Sequence, residues 1–209
     1  MNADLLRLYL VLDPVLCRDA RGMVDTAVAA VRGGATVVQL RAPDWKKRAF
    51  AECGRALMAA LEPYRTPLII NDHVDVAVAI GAAGVHVGQK DLSPADSRRL
   101  MPPGMILGLS VSSMDECEAV DPALVDYLGI GPVWATPTKT DAAPAVGLDG
   151  LRANAAAAPC PSVAIGSVKA ENAAAVMACG VDGIAVVSAI CGQSDPSAAA
   201  RRLAALTER

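Results

Sequence analysis

Aromatic side chains are scarce in this chain: one Phe, two Trp and three Tyr make up 3% of its 209 residues. A protein that grips nucleic acid by stacking bases needs such side chains, so that mode has little to work with. A surplus of one charge is also lacking. The 19 Lys and Arg face 22 Asp and Glu, a net charge of −3, and no Lys/Arg-rich block marks a basic patch, so nucleic acid is not an expected partner. No uninterrupted apolar run reaches the roughly 20 residues of a membrane span, and the N-terminus lacks the charged, apolar and cleavage regions of a secretory signal. Cysteine is present but unpatterned. Cys17, Cys53, Cys117, Cys160, Cys179 and Cys191 form no C-x-x-C pair and read as small buried hydrophobes of a reducing compartment. Histidine is limited to His73 and His86, and neither belongs to a Ser/His or Cys/His constellation, which excludes hydrolysis by a triad. These absences predict a cytoplasmic enzyme of small molecules with no membrane partner.

What is there is core material. Hydrophobic residues are 53% and charged residues 20% of the chain, which excludes disorder and fibrous structure. Short, nearly continuous apolar runs recur at Leu8–Asp13, Thr36–Arg41, Pro67–Asp72, Gly84–Gln89, Ile106–Val111, Tyr127–Val133, Pro161–Gly166 and Gly183–Ile190. Runs without alternation are what parallel strands covered on both faces require. Ala-rich segments with helix signals lie between them. Asp13-Pro14 and Arg32-Gly33-Gly34 bracket the first, with Val24, Val28 and Val31 on one face, Ser93-Pro94 opens another, and Cys179-Gly180 ends a third. Eight strand–helix units in 209 residues leave about 26 residues each, the length of one strand, one helix and two short loops. No linker divides residues 1–209, so the expected fold is a single α/β domain, a (β/α)8 TIM barrel. An open doubly wound sheet is the competing architecture, but no G-x-G-x-x-G turn follows the first strand.

In such barrels the chemistry sits where strands end. Those positions carry Gln39 and Arg41, Asn71 and Asp72, Gln89 and Asp91, Ser110, then Thr136, Thr138 and Lys139, then Gly166, Val187 and Ser188. Gln39 and Arg41 are two apart and share one side of their strand, where the Arg fork suits a phosphate or a neighbouring carboxylate. Asp72 and Asp91 end adjacent strands and suit Mg²⁺ shared with substrate oxygens, though Asp72 could instead cap the next helix. The stretch from Trp134 to Gly147 has no apolar periodicity, and its Thr136, Thr138 and Lys139 form an oxyanion-binding set. Gly166, Val187 and Ser188 fall where the loops after strands seven and eight commonly bind phosphate. His86 reads as a satisfied core group, and Trp45 and Trp134 as packing anchors.

Taken in order, Val38-Gln39-Leu40-Arg41, Ile70-Asn71-Asp72, Gly84 through Leu92, Gly108-Leu109-Ser110, Gly131-Pro132 through Lys139 and Val163-Ala164-Ile165-Gly166 resemble the thiamine phosphate synthase family and its thiazole tautomerase relatives. The resemblance spans Leu8 to Ile190. It implies a barrel that joins a hydroxymethylpyrimidine diphosphate to a hydroxyethylthiazole phosphate by a dissociative, Mg²⁺-assisted substitution that releases pyrophosphate. It further implies that Gln39, Arg41, Asn71, Ser110 and Lys139 contact the diphosphate end of the pyrimidine substrate, with Arg41, Ser110 and Lys139 catalytic. Asp72 and Asp91 would hold the metal, and Thr136, Thr138, Gly166, Val187 and Ser188 the thiazole phosphate. Three positions depart from the family pattern: Pro43 replaces a Lys, Ser112 a His, and Ser167 a second Gly after strand seven. Lys46 and Lys47 are the nearest cations that could replace the lost one. A tautomerase-like isomerase and a catalytically silent barrel binding a thiamine precursor are the alternatives, and a homo-oligomer is compatible with either.

Overall fold

The computed structural model describes residues 2–136 and 143–208. Eight strands, β1 (Leu8–Leu12), β2 (Val37–Leu40), β3 (Leu68–Asn71), β4 (Gly84–Val87), β5 (Ile106–Val111), β6 (Tyr127–Ile130), β7 (Ser162–Ile165) and β8 (Gly183–Val186), pair in parallel and in sequence order. Tyr9 pairs with Val37 on one side and Ala185 on the other, so β8 returns to β1 and the sheet closes. Each strand is followed by a helix: α1 (Ala20–Arg32), α2 (Lys47–Leu61), α3 (Val74–Ile80), α4 (Pro94–Leu100), α5 (Met114–Glu118), α6 (Gly147–Ala157), α7 (Ala173–Met177) and α8 (Pro196–Ala205). The expected (β/α)8 barrel is the observed fold.

Closure explains the unbroken apolar runs. Alternate residues of each strand point inward, where Tyr9, Val11, Val37, Ile69, Tyr127, Val163 and Ala185 form one cluster. Their neighbours Leu8, Leu10, Leu12, Val38, Leu40 and Ile70 point outward into a second cluster shared with the helices. Little of either face meets water, so both are mainly apolar.

The strand starts agree with the sequence expectations to within one residue and the ends to within two, except in the sixth and eighth runs: these extend to Val133 and Ile190, whereas β6 and β8 stop at Ile130 and Val186. The extra apolar residues pack loops. Val133 and Ile190 are fully buried without belonging to the sheet. In α1 the inward residues are Met23, Thr26, Ala27 and Ala30, while Val24, Val28 and Val31 are half-buried. Helices α2 and α8 flank α1, and apolar side chains turned sideways toward them pass as an inward face in sequence. The helix also starts later than Asp13-Pro14, at Asp19, whose carboxylate accepts the Gly22 N–H at 2.8 Å. Ser93 and Pro94 open α4 as expected, with the Ser93 hydroxyl accepting the Asp96 N–H.

All six cysteines are free thiols and all but Cys160 are buried. Trp45 and Trp134 pack against the core as anchors. Among the described residues no helix is long and apolar enough to cross a membrane.

Candidate active site

The floor of the barrel mouth is a run of hydrogen bonds through the otherwise apolar interior. Gln39 of β2 donates through Nε2 to the Tyr9 hydroxyl at 2.8 Å. That hydroxyl lies 2.8 Å from the Tyr127 hydroxyl of β6, which lies 2.9 Å from His86 Nδ1 of β4. His86 Nε2 in turn lies 2.9 Å from the Ser110 hydroxyl of β5. Five strands thus contribute one polar side chain each. Gln39 and His86 are 5% and 9% exposed and the two tyrosines almost fully buried, so an unmatched polar atom here would be costly. Among the described residues, no buried side-chain nitrogen or oxygen lacks a partner. Burial pushes the Tyr9 and Tyr127 phenols well above their ordinary range, which keeps both protonated. The space for this run comes from Gly108, where a Cβ would stand 2.2 Å from Tyr127 Cζ and 2.4 Å from His86 Nδ1.

Above the floor lies a charged rim. Arg41 follows β2 directly and is half-buried, as are Asn71 at the end of β3 and Asp72 after it. Asp72 adopts φ +60°, a left-handed conformation that Asp tolerates better than most residues, and its N–H donates to the His86 carbonyl at 2.8 Å. It does not cap α3, whose N-cap is His73 with no side-chain cap bond. Asp91 is exposed, and its Oδ2 accepts the Gly88 N–H at 2.7 Å, which folds the carboxylate back over the end of β4. Gln89 Nε2 donates to the Ser110 carbonyl at 2.8 Å and ties that loop to β5. Among the described residues there is no group of three or more His, Cys, Asp or Glu able to cage a metal. Two carboxylates from neighbouring strand ends nevertheless fit the habit of Mg²⁺, which takes one or two carboxylates and completes its shell with substrate oxygens and water.

The third part of the mouth is a pair of laced loops. Val133 N–H donates to the Ile165 carbonyl at 2.9 Å, Trp134 N–H to the Gly166 carbonyl at 3.3 Å, and the Ser167 hydroxyl to the Ala135 carbonyl at 2.7 Å. Gly166, at φ +108°, is obligatory for two reasons: only glycine adopts that conformation freely, and a Cβ would fall 2.6 Å from Pro132 Cα. Thr136 follows directly and is half-buried. Thr138 and Lys139 lie outside the described residues. After β8, the Val187 carbonyl accepts the N–H groups of Ile190 and Cys191, and the Ser188 carbonyl accepts Gln193 Nε2 at 2.9 Å. Ser188 itself is exposed.

The three departures from the family pattern have local explanations. Lys47 is paired with Asp75 of α3 at 2.6 Å and Lys46 lines the groove between α1 and α2, so Arg41 keeps the principal charge at the end of β2. Ser112 gives both its N–H and its hydroxyl to Glu116, at 2.6 and 2.9 Å, and anchors the start of α5. Ser167, at φ +52°, occupies a glycine-favouring conformation but laces the two loops together. His86 is the satisfied core group that the sequence suggests, with a partner on each ring nitrogen, whereas Tyr9 and Tyr127 are not among the residues singled out from sequence. The signal was available: Tyr9 and Gln39, Tyr127 and His86 all fall on inward positions of their strands.

A closed barrel with a hydrogen-bonded polar floor, a carboxylate-and-arginine rim and laced loops after β6 and β7 has the build of a (β/α)8 enzyme. Its relatives are specific. Residues 8–190 match the family described as thiamine monophosphate synthase. A thiamine-phosphate synthase of Laribacter hongkongensis is 54% identical over 198 residues, covering 95% of this chain and 93% of that protein. Another, of Xanthobacter autotrophicus, is 54% identical over 200 residues, covering 96% and 94%. Among solved structures, a thiamine phosphate pyrophosphorylase from Pyrococcus furiosus superposes with a TM-score of 0.88 at 34% identity, covering 98% of this chain and 96% of that one. A 3-hexulose-6-phosphate synthase from Salmonella typhimurium, at 16% identity and a TM-score of 0.74, shares the fold alone. The chain belongs to the thiamine monophosphate synthase family, and is a transferase.

Proposed function

We propose that this chain joins 4-amino-2-methyl-5-hydroxymethylpyrimidine diphosphate to hydroxyethylthiazole phosphate, giving thiamine phosphate and pyrophosphate. The observation that carries this reading is the layering of the mouth: a deep uncharged floor ending in Gln39 and Ser110, beneath a rim that holds Arg41, Asn71, Asp72 and Asp91. A substrate with a neutral ring and a charged diphosphate fits that layering ring-first, so Gln39 and Ser110 face the ring and the rim faces the phosphates.

The bond between the pyrimidine methylene and the diphosphate oxygen breaks first, and the electron pair leaves with pyrophosphate. The thiazole nitrogen then donates its pair to the resulting pyrimidine methylene cation. This route requires no protein nucleophile, in keeping with a floor that offers only hydrogen bonds. It requires charge stabilisation where the pyrophosphate departs, from Arg41, Asn71 and Lys139. Asp72 and Asp91 would hold Mg²⁺, which when bound screens the charge of the pyrophosphate. Thr136, Thr138, Gly166, Val187 and Ser188 hold the thiazole phosphate, the last three largely through backbone groups, and aim the acceptor nitrogen.

The test is pyrophosphate release by the purified chain with Mg²⁺ and both substrates, then with each omitted in turn. Release that requires all three is the expected result. Release without the thiazole phosphate, or none at all while thiazole phosphate still binds in calorimetry, overturns the reading in favour of a hydrolase or of a tautomerase or silent binder.

A further inference from the structure

Counting hydrogens along the barrel floor gives its hydrogen bonds a direction. Gln39 Nε2 is a donor, so the Tyr9 oxygen accepts from it. Tyr9 has one proton, and among the described residues its only other polar neighbour at hydrogen-bond distance is the Tyr127 oxygen at 2.8 Å, so it donates there. Tyr127, accepting from Tyr9, gives its single proton to His86 Nδ1 at 2.9 Å. A neutral imidazole whose Nδ1 accepts carries its hydrogen on Nε2, which then donates to the Ser110 oxygen at 2.9 Å. The Ser110 hydroxyl accepts that bond and keeps its own hydrogen for the barrel mouth. The opposite direction, with this orientation of Gln39, would leave the buried Tyr9 proton with no acceptor, which costs more than the bond it would gain.

We infer that Tyr9, Tyr127 and His86 are positioning residues: they hold Ser110 as a hydrogen-bond donor toward an acceptor atom of the bound pyrimidine substrate. The inference rests on the reading that Ser110 faces that substrate. Three features support the assignment. Each link spans two different strands, so none arises from local chain geometry. Both phenols stay protonated, so each has one hydrogen to pass on. Gly108 is a residue without a side chain where Tyr127 and His86 must meet. A serine free to rotate would spend part of its time offering lone pairs instead; the fixed donor costs no reorganisation when substrate arrives.

The first measurement is the ¹⁵N spectrum of the imidazoles in the ligand-free chain. With only two histidines present, His73→Gln leaves His86 alone. A protonated Nε2 with a bare Nδ1 is expected; a protonated Nδ1 overturns the inference, because the run would then point the other way. Since no turnover is involved, this result stands or falls separately from the proposed reaction. The second measurement is kinetic. Tyr127→Phe is expected to raise the KM for the pyrimidine diphosphate about tenfold, the worth of one hydrogen bond, and to leave that for thiazole phosphate within twofold. In a Ser110→Ala background the same change should add less than twofold. Equal shifts in both KM values, or a full tenfold effect without Ser110, would mean that Tyr127 acts through general packing and not through Ser110.

Discussion

At Gly108 a single hydrogen in place of a methyl group decides whether the barrel can have a polar floor. Its Cβ would lie within 2.4 Å of both Tyr127 and His86, whose rings are buried and hydrogen-bonded to each other. Gly108→Ala is therefore expected to cost about 2–3 kcal/mol in chemical denaturation, the usual range for overpacking a core; a midpoint equal to that of the parent would show that the interior yields. Asp72 presents a different residue-scale choice. Its φ of +60° suits Asn as well as Asp, so Asp72→Asn keeps the backbone and removes only the charge. If Asp72 holds the metal, the Mg²⁺ concentration for half-maximal pyrophosphate release should rise at least tenfold while the melting temperature stays within about 2 °C.

Between elements, the two ends of the barrel are stitched by different means. At the end opposite the mouth, Arg98 of α4 bonds the Leu124 and Met105 carbonyls and Asp126, each at 2.6 Å, and Asp126 also accepts the Leu107 N–H at 2.8 Å. Arg98→Ala takes a donor from each of two carbonyls and leaves the half-buried Asp126 carboxylate without its cation, held only by the Leu107 N–H. A loss of about 2–3 kcal/mol of stability is expected, with both KM values unchanged because the stitch is remote from the mouth. At the mouth, the stitch between the loops after β6 and β7 is the Ser167 hydroxyl on the Ala135 carbonyl. Ser167→Ala keeps the strained φ and loses the bond, so stability should fall by about 1 kcal/mol. The KM for thiazole phosphate should rise as the laced loops loosen, and an unaltered KM would remove this contact from the phosphate site.

For the molecule as a whole, the buried phenols couple stability to alkaline pH. Tyr9 and Tyr127 are held protonated in the folded chain above the range in which an unfolded chain loses its phenolic protons. Their contribution is thus complete below about pH 10 and is lost as pH rises beyond it. Two groups give a slope of up to about 2.7 kcal/mol per pH unit there. At pH 11 the folded chain should show phenolate absorbance from no more than one of its three tyrosines, with the rest appearing together at unfolding. Gradual ionisation without unfolding would refute this. The closed fold was legible in the sequence because a strand covered on both faces must be apolar throughout, and eight such runs with helices between them have few other ways to bury themselves. The rim was legible for the same reason: Arg41, Asn71, Asp72 and Asp91 stand out as polar residues where apolar strands stop. The sequence by itself therefore determined the barrel, the end of it that carries the polar groups and the family likeness. Only the tertiary structure decided how the floor is wired, because Tyr9, Gln39, His86, Ser110 and Tyr127 lie on five separate strands. A hydrogen bond between residues 118 apart leaves no local pattern to read, and the direction of its protons exists only once all five side chains are in contact.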